Sequence, residues 1–214
     1  NGQGQVKMVK HLLFVKMHSL HKVITFQFPL FCFFLLLSPL YSNAAVAPLP
    51  KPNNNNNALV EKACTYIPDK PFCLNYLKSN PKVISKSNPL EFALAIIQSG
   101  ADDAKNIHAY LSKPKGKQSP QAIQAYKDCK TNWENLASGL ERSVKFIKEE
   151  QGYGYDTTDY DLKVNLDKAN WCGNALESAK IQDPVIAQGV KKVSLAVMGA
   201  DAILVGVKPP KKLD

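Results

Sequence analysis

The residues of this chain whose types and spacing could do chemistry are first of all its cysteines, Cys64, Cys73, Cys129 and Cys172. Cys64 and Cys73 share a short segment, Ala-Cys64-Thr-Tyr-Ile-Pro-Asp-Lys-Pro-Phe-Cys73, whereas Cys129 and Cys172 lie on separate, strongly helical stretches. No CxxC pair occurs, so a redox dithiol or a zinc site is not what the spacing suggests. An even set behind a secretory leader reads as two disulfides made in an oxidising compartment. Four cysteines allow three pairings. Spacing favours Cys64–Cys73, closing a small hairpin, and Cys129–Cys172, tying two long helices.

Other chemistry is sparse. Beyond the leader the chain has a single histidine, His108, at a seam-like helical position. It reads as a packed histidine, with a pH-sensing role as the alternative. A metal site built on histidines is not expected, and a Ser-His-Asp arrangement would depend on that one residue. Carboxylates pair at Asp102-Asp103 and Glu149-Glu150, and Asp156, Asp159 and Asp161 crowd a loop. A glycosidase would need two carboxylates at fixed separation in a sugar-lined cleft; solvated faces and helix caps are the simpler reading. Phosphate-cradling glycine loops are missing from the sequence. No catalytic residue, metal or cofactor is therefore expected, and the chain reads as a binding module rather than an enzyme.

The elements that hold these residues follow a leader. Residues 1–47 read as upstream sequence plus a secretory signal starting at Met8 or Met17, with the apolar run Phe28–Leu37 and cleavage near Ala44 or Ala47. That run is short for a bilayer span, and Cys32 would leave with it. No membrane association is then expected after cleavage. The leader holds four of the 27 basic residues and none of the 18 acidic ones, which leaves +5 on the mature part. Such a charge suits an anionic surface such as pectin. Scattered lysines with the single arginine Arg142 argue against nucleic acid.

Residues 48–57, Pro-Leu-Pro-Lys-Pro and five asparagines, read as a disordered arm. A domain over 58–207 and a basic tail over 208–214 follow. Leu59–Tyr66 and Pro71–Lys78 read as short helices that need the Cys64–Cys73 bond to persist. Three long elements open with proline behind a capping residue, at Asn88-Pro89, Ser119-Pro120 and Asp183-Pro184. Ser87, Asn88 and Glu91 resemble a capping box. Apolar residues then recur at steps of three and four along four stretches. The first runs Leu90, Leu94, Ile97, Ala101, Ala104, His108, Leu111, and the second Tyr126, Cys129, Trp133, Leu136, Leu140, Val144, Ile147. The third is shorter, Leu162, Leu166, Ala169, Leu176, entered from Thr157 or Thr158. The last runs Ile186, Val190, Val193, Val197, Ala200, Leu204. Four such seams predict an all-α, up-down four-helix bundle with the N-terminal hairpin outside it.

Register poses a problem for the second disulfide. From Cys129 to Glu150 is roughly 32 Å of helix, and from Thr158 to Cys172 roughly 21 Å. Either the helix stops before Glu150, or Gln151–Asp159 climbs back along it. Trp133 and Trp171 are expected to pack around that bond.

The segment Leu59–Pro81, with Cys64-Thr, an intervening proline, Cys73-Leu and Asn80-Pro81, resembles the opening of the plant invertase inhibitor and pectin methylesterase inhibitor family. Asp128-Cys129 and Ala169-Asn-Trp-Cys172 fall where that family places its other cysteines. The resemblance covers about Asn57 to Val207. It implies a four-helix bundle with a helical hairpin, disulfides Cys64–Cys73 and Cys129–Cys172, and a partner that is a cell-wall carbohydrate enzyme.

Invertase inhibitors of the family can carry Pro-Lys-Phe between the third and fourth helices. Here Val144-Lys145-Phe146 falls inside the third helix, and Tyr153-Gly154-Tyr155 lacks the motif. Tyr155–Asp161 is similar to the Asp-Tyr-Asp stretch of the methylesterase inhibitors, although Leu162–Asp167 replaces their alanine-rich run. The resemblance thus favours a secreted, apoplastic inhibitor that blocks the pectin-binding cleft of pectin methylesterase in a one-to-one complex. Acid invertase is the alternative partner, with the vacuole as alternative location, and a non-inhibitory wall-associated bundle is a third reading. Aromatic and long charged groups on exposed faces suit interfaces, which nominates Asp102, Tyr110, Lys113, Lys127 and Glu134 as partner contacts. N-glycosylation is not expected beyond the leader, where no Asn-x-Ser/Thr occurs.

Overall fold

The computed structural model describes residues 54–153 and 158–207. The expected leader and basic tail lie outside them. The described residues form α1 (Asn54–Ala63), α2 (Lys70–Lys78), α3 (Pro81–Ile84), α4 (Pro89–Leu111), α5 (Pro120–Glu150), α6 (Thr158–Ser178) and α7 (Pro184–Leu204). Helices α4 to α7 make an up-down four-helix bundle in which α4 packs on α5 and α7, and α6 on α5 and α7.

Capping sets where each bundle helix begins. Asn88 accepts from the amides of Leu90 and Glu91, Ser119 from Ala122, and Asp183 from Val185 and Ile186, each with a proline in the first turn. The same device starts α2 at Asp69 and α3 at Asn80. Proline in the first turn gives up an amide that has no helical acceptor anyway. Glu91 does not close a capping box; its carboxylate faces Lys86 at 3.5 Å. Helix α5 ends where Gln151 turns left-handed and the Gly152 amide returns to the Ile147 carbonyl at 3.0 Å.

The core is built from Phe92, Ile96 and Ile97 of α4, Trp133, Leu136 and Leu140 of α5, Leu162 of α6 and Ile186, Leu195 and Ile203 of α7. The α4 seam is rotated from the one expected. Phe92, Ile96 and Ile107 point inward, while Leu90, Leu94 and His108 are half-buried at its edge. A glycine sets how near α7 comes to α4: a Cβ on Gly189 would stand 2.6 Å from Ile107 Cγ1. Tyr126, Val144, Leu166 and Val190 are likewise only half-buried. An α-helix packed on two neighbours buries a broader stripe than a single three-four line, so edge positions are shared with solvent.

The hairpin differs from expectation in three ways. Its first helix starts within the asparagine run, because Asn56 is buried and its amide donates to the Ile84 carbonyl at the end of α3. Satisfying an orphan helix-end carbonyl outweighs the poor helix propensity of asparagine. Asn54–Asn57 therefore belong to α1 rather than to a disordered arm. Secondly, α1 stops at Ala63, leaving Tyr66 76% exposed. Finally, the hairpin lies outside the four-helix ring yet is docked on it. Val60, Ala63, Cys64, Cys73 and Leu77 are buried, and α1 packs against α7.

Both disulfides form, Cys64–Cys73 and Cys129–Cys172, with Cα atoms 5.7 and 4.4 Å apart. The Trp133 indole N–H donates to Cys172 Sγ at 3.2 Å, but Trp171 is 57% exposed and does not cover the bond. The first expected solution of the register problem is not taken, because α5 runs its full length, and the second falls largely on residues 154–157, outside the described ones. The Thr158 hydroxyl meets the Glu150 carboxylate. The Asn165 amide reaches the Ser143 hydroxyl at 3.4 Å beside Gly139, whose missing side chain makes room for it, before the two cysteines meet.

Two tyrosines pin outlying segments to the bundle. Tyr76 of α2 donates to Asp103 Oδ2 at 2.5 Å, and Lys192 of α7 lies 3.0 Å from the other oxygen of that carboxylate. Tyr153, just after α5, donates to Asp201 Oδ1 of α7 at 2.6 Å, where Lys163 also arrives at 3.2 Å. Burial, then the carboxylate accepting the hydroxyl proton, pushes both phenols well above the usual tyrosine range.

Two outcomes are expected. Cys129→Ser opens a tie between residues 43 apart, for which chain entropy gives a loss of about 4 kcal/mol; an unchanged urea midpoint would show that the bond does not stabilise the fold. For the tyrosines, a raised folded pKa means that the unfolded chain sheds its proton first. Their contribution is whole below the unfolded value, about 10, and fades as pH rises through and beyond it. The urea midpoint should therefore hold up to about pH 9 and drop above about 10. The double variant Tyr76→Phe, Tyr153→Phe should drop less steeply, and parallel curves would refute the assignment.

Candidate partner-binding surface

The titratable groups do not converge on a reaction centre. Asp102 and Asp103 have separate tasks. Asp103 is the largely buried anchor of Tyr76 and Lys192, whereas Asp102 accepts from Gln98 at 3.2 Å and lies 3.8 Å from Lys82 on the rim of the hairpin. Glu149 faces Lys145 one turn back, and Glu150 receives Thr158. Asp159 faces Lys163; Asp156 lies outside the described residues. His108 sits between α4 and α5 with Nε2 buried, 3.9 Å from Glu134 and without a hydrogen-bond partner among the described residues. No group of three metal-ligating side chains occurs among the described residues. An open groove of about 810 Å³ lies between α6 and α7, lined by Leu176, Ile181, Ile186 and Val190.

What remains is surface. On α5, Ile123, Lys127, Lys130 and Glu134 follow steps of four, three and four along the side facing away from the core, and all four are exposed. The seam between α4 and α5 is bridged by Lys105 to Glu141 and by His108 to Glu134. The hydrogen bond to Glu141 holds the Lys105 ammonium above its ordinary range.

At one end of the bundle the α4–α5 loop meets the start of α7. Tyr110 and Tyr126 both donate to Asp183 Oδ2, at 3.0 and 3.2 Å, while the other oxygen of Asp183 caps α7. Lys115 lies over the Tyr110 ring, 3.0 Å from its centroid, and 5.4 Å from that of Tyr126. Burial lowers the Lys115 ammonium and raises both phenols, which Asp183 raises further. This node fixes the Lys113–Lys117 stretch of the α4–α5 loop.

The five nominated contacts do not form one patch. Lys127 and Glu134 share the outer line of α5, and Lys113 is exposed in the loop that leads to it. Asp102 sits on the hairpin rim instead. Tyr110 is half-buried, with its hydroxyl committed to Asp183. Sequence reasoning missed the anchors Tyr76, Asp103 and Lys192, and the node partners Lys115 and Tyr126. A proline-capped aspartate such as Asp183 advertises its cap but not a second oxygen free to collect two tyrosines. The loop where an invertase-type motif would sit begins with Tyr153 tied to Asp201, and residues 154–157 lie outside the described ones. Lys145 and Phe146 are exposed within α5.

Comparison with known proteins accords with this arrangement. The chain is similar to a mutant form of a pectin methylesterase inhibitor from Arabidopsis, with a TM-score of 0.60 and 20% identity over 70% of this chain and 99% of that one. A pectin methylesterase inhibitor from Arabidopsis thaliana matches with a TM-score of 0.52 and 19% identity over 72% and 98%. At such identity these likenesses speak for the fold. No curated protein matches. The profile of the plant invertase/pectin methylesterase inhibitor family matches residues 58–199. A bundle tied by two disulfides, with its polar groups committed to anchoring and its outer helix faces free, thus belongs to the plant invertase/pectin methylesterase inhibitor family, whose members inhibit enzymes rather than being enzymes.

Proposed function

We propose that the protein is a secreted inhibitor of pectin methylesterase that covers the pectin-binding cleft of the enzyme in a one-to-one complex. The observation that carries this reading is the family match over residues 58–199, joined to a loop after α5 that lacks Pro-Lys-Phe and starts with Tyr153 fastened to Asp201. A loop built to enter a small sucrose-cleaving pocket would need the motif there. Long exposed helix faces suit a long polysaccharide groove instead. The outer line of α5 with Lys127 and Glu134, together with Lys113 in the loop that leads to it, supplies the main contacts, with the half-buried Tyr110 at the loop end and Asp102 on the hairpin rim lying apart from that line. Acid invertase is the second reading, favoured by the exposed Lys145-Phe146 pair. The secretory leader proposed for residues 1–47 sends the protein to the apoplast, or by the minor route to the vacuole. No described helix is long and apolar enough to cross a membrane.

The test is a paired titration of the oxidised protein against a plant pectin methylesterase and a plant acid invertase at mildly acidic pH. Inhibition of the esterase alone is expected, with saturation at one inhibitor per enzyme. Inhibition of invertase alone overturns the assignment. Lys127→Ala with Glu134→Ala should weaken inhibition about tenfold or more, as central interface positions do, with the melting temperature unchanged.

A further inference from the structure

Lysines that face no carboxylate are concentrated at one end of this fold. Along the hairpin and the middle of the bundle most ammonium groups are matched, for example Lys70 with Glu61, Lys105 with Glu141 and Lys192 with Asp103, with Lys62, Lys148 and Lys168 as the exceptions. The end formed by the α4–α5 and α6–α7 loops is different. Lys113, Lys117, Lys127, Lys130 and Lys180 are all exposed there, and none has a carboxylate within ion-pairing distance among the described residues. The acids of this end are fewer than its lysines. Asp183 is buried beneath two tyrosines, and Asp128, Glu134 and Glu177 are exposed carboxylates that keep their charge, so four acids stand against the five exposed lysines and Lys115.

The cluster is held together, not floppy. The Tyr110–Asp183–Tyr126 node ties the end of α4, the start of α5 and the start of α7. Lys115, laid on the Tyr110 ring, fixes the middle of the loop between Lys113 and Lys117. Repulsion by Lys113 is one of the forces that push Lys115 down, so cations of this loop feel one another. Single exposed lysines are screened beyond about 8–10 Å in salt, but several on a rigid end act jointly on a polyanion.

We propose that this end of the bundle binds the free carboxylates of a polyuronate chain, the demethylated form of pectin. The inference rests on the proposed target. A pectin methylesterase adds water to a uronate methyl ester, breaks the acyl–oxygen bond, releases methanol and leaves a carboxylate whose proton passes to solvent. Each turnover turns a neutral unit of the polymer into an anionic one. A lysine end that prefers the carboxylate form holds the inhibitor where the esterase has already acted.

The experiment measures binding of the oxidised protein to fully demethylated polygalacturonate and to highly methylated pectin, over a range of salt. Tight, salt-sensitive binding to the first and at least tenfold weaker binding to the second is expected. The variant Lys117→Ala, Lys130→Ala, Lys180→Ala should lose at least tenfold. The variant Lys70→Ala, Lys105→Ala, Lys145→Ala removes the same charge from matched lysines and should lose less than twofold. Equal losses in both variants would mean that net charge alone acts and overturn the site. Equal or tighter binding to phosphatidylserine vesicles or to double-stranded DNA would overturn the uronate assignment. Inhibition of the esterase on a short methylated oligomer, read in parallel, should be the same in the variant Lys117→Ala, Lys180→Ala, whose changes lie off the outer line of α5, and in the parent. Absence of inhibition in both, with polygalacturonate binding intact, sinks the proposed target and leaves the site standing.

Discussion

The bond between Cys129 and Cys172 is the constraint on which the bundle depends, because the fully buried face of α6 holds few large apolar side chains. Helix α4 sends Phe92, Ile96, Ile97, Ile107 and Leu111 inward, whereas the buried set of α6 is Thr158, Leu162, Asn165, Ala169, Cys172 and Leu176. At about 1.5–3 kcal/mol for each large buried aliphatic, Leu162 and Leu176 supply too little to fix the position of a 21-residue helix. Asn165 supplies register and not affinity, since a buried amide roughly recovers its desolvation through its bonds. The disulfide removes the alternatives. With α6 held to α5 beside the Trp133 indole, the missing side chain of Gly139 leaves room for Asn165, and Thr158 meets Glu150 at the other end of the pair.

Carboxylates do the remaining joining, and each serves two elements at once. Asp103 collects α2 and α7 through Tyr76 and Lys192, Asp201 collects the end of α5 and α6 through Tyr153 and Lys163, and Asp183 collects α4 and α5 through two tyrosines while capping α7. Pairing a neutral phenol with a carboxylate confers direction at lower desolvation cost than burying two charges. This explains why three aspartates with no catalytic geometry are nonetheless held partly or wholly out of solvent.

The sequence made the skeleton legible, and the physical reason is locality. Proline-led caps at Asn88, Ser119 and Asp183, and seams such as Leu136–Leu140, declare themselves within a few residues, and all of them form. What could not be read is what depends on a distant partner. The amide of Asn56 makes sense only beside the carbonyl of Ile84, 28 positions away. Trp171 adjoins Cys172 in the chain, yet successive helical residues point about 100° apart, so its neighbour faces the disulfide and it faces solvent. Tyr110 reads as an aromatic on an exposed face; its hydroxyl instead reaches Asp183, 73 residues on.

Rigidity is also what connects this fold to inhibition. A flexible segment laid along an enzyme groove must be ordered at the moment of binding, at about 0.5–1.5 kcal/mol for each immobilised side chain. Here the order is established beforehand by two disulfides, five proline-led helix starts and three tyrosine–carboxylate joints. The outer line of α5 is thereby presented as a nearly fixed rod of 31 residues, roughly 46 Å at 1.5 Å per residue. That length spans several units of a polysaccharide groove and far exceeds a pocket made for a disaccharide. The same geometry, a long exposed helix face held rigid from within, is what the proposed function asks of the chain.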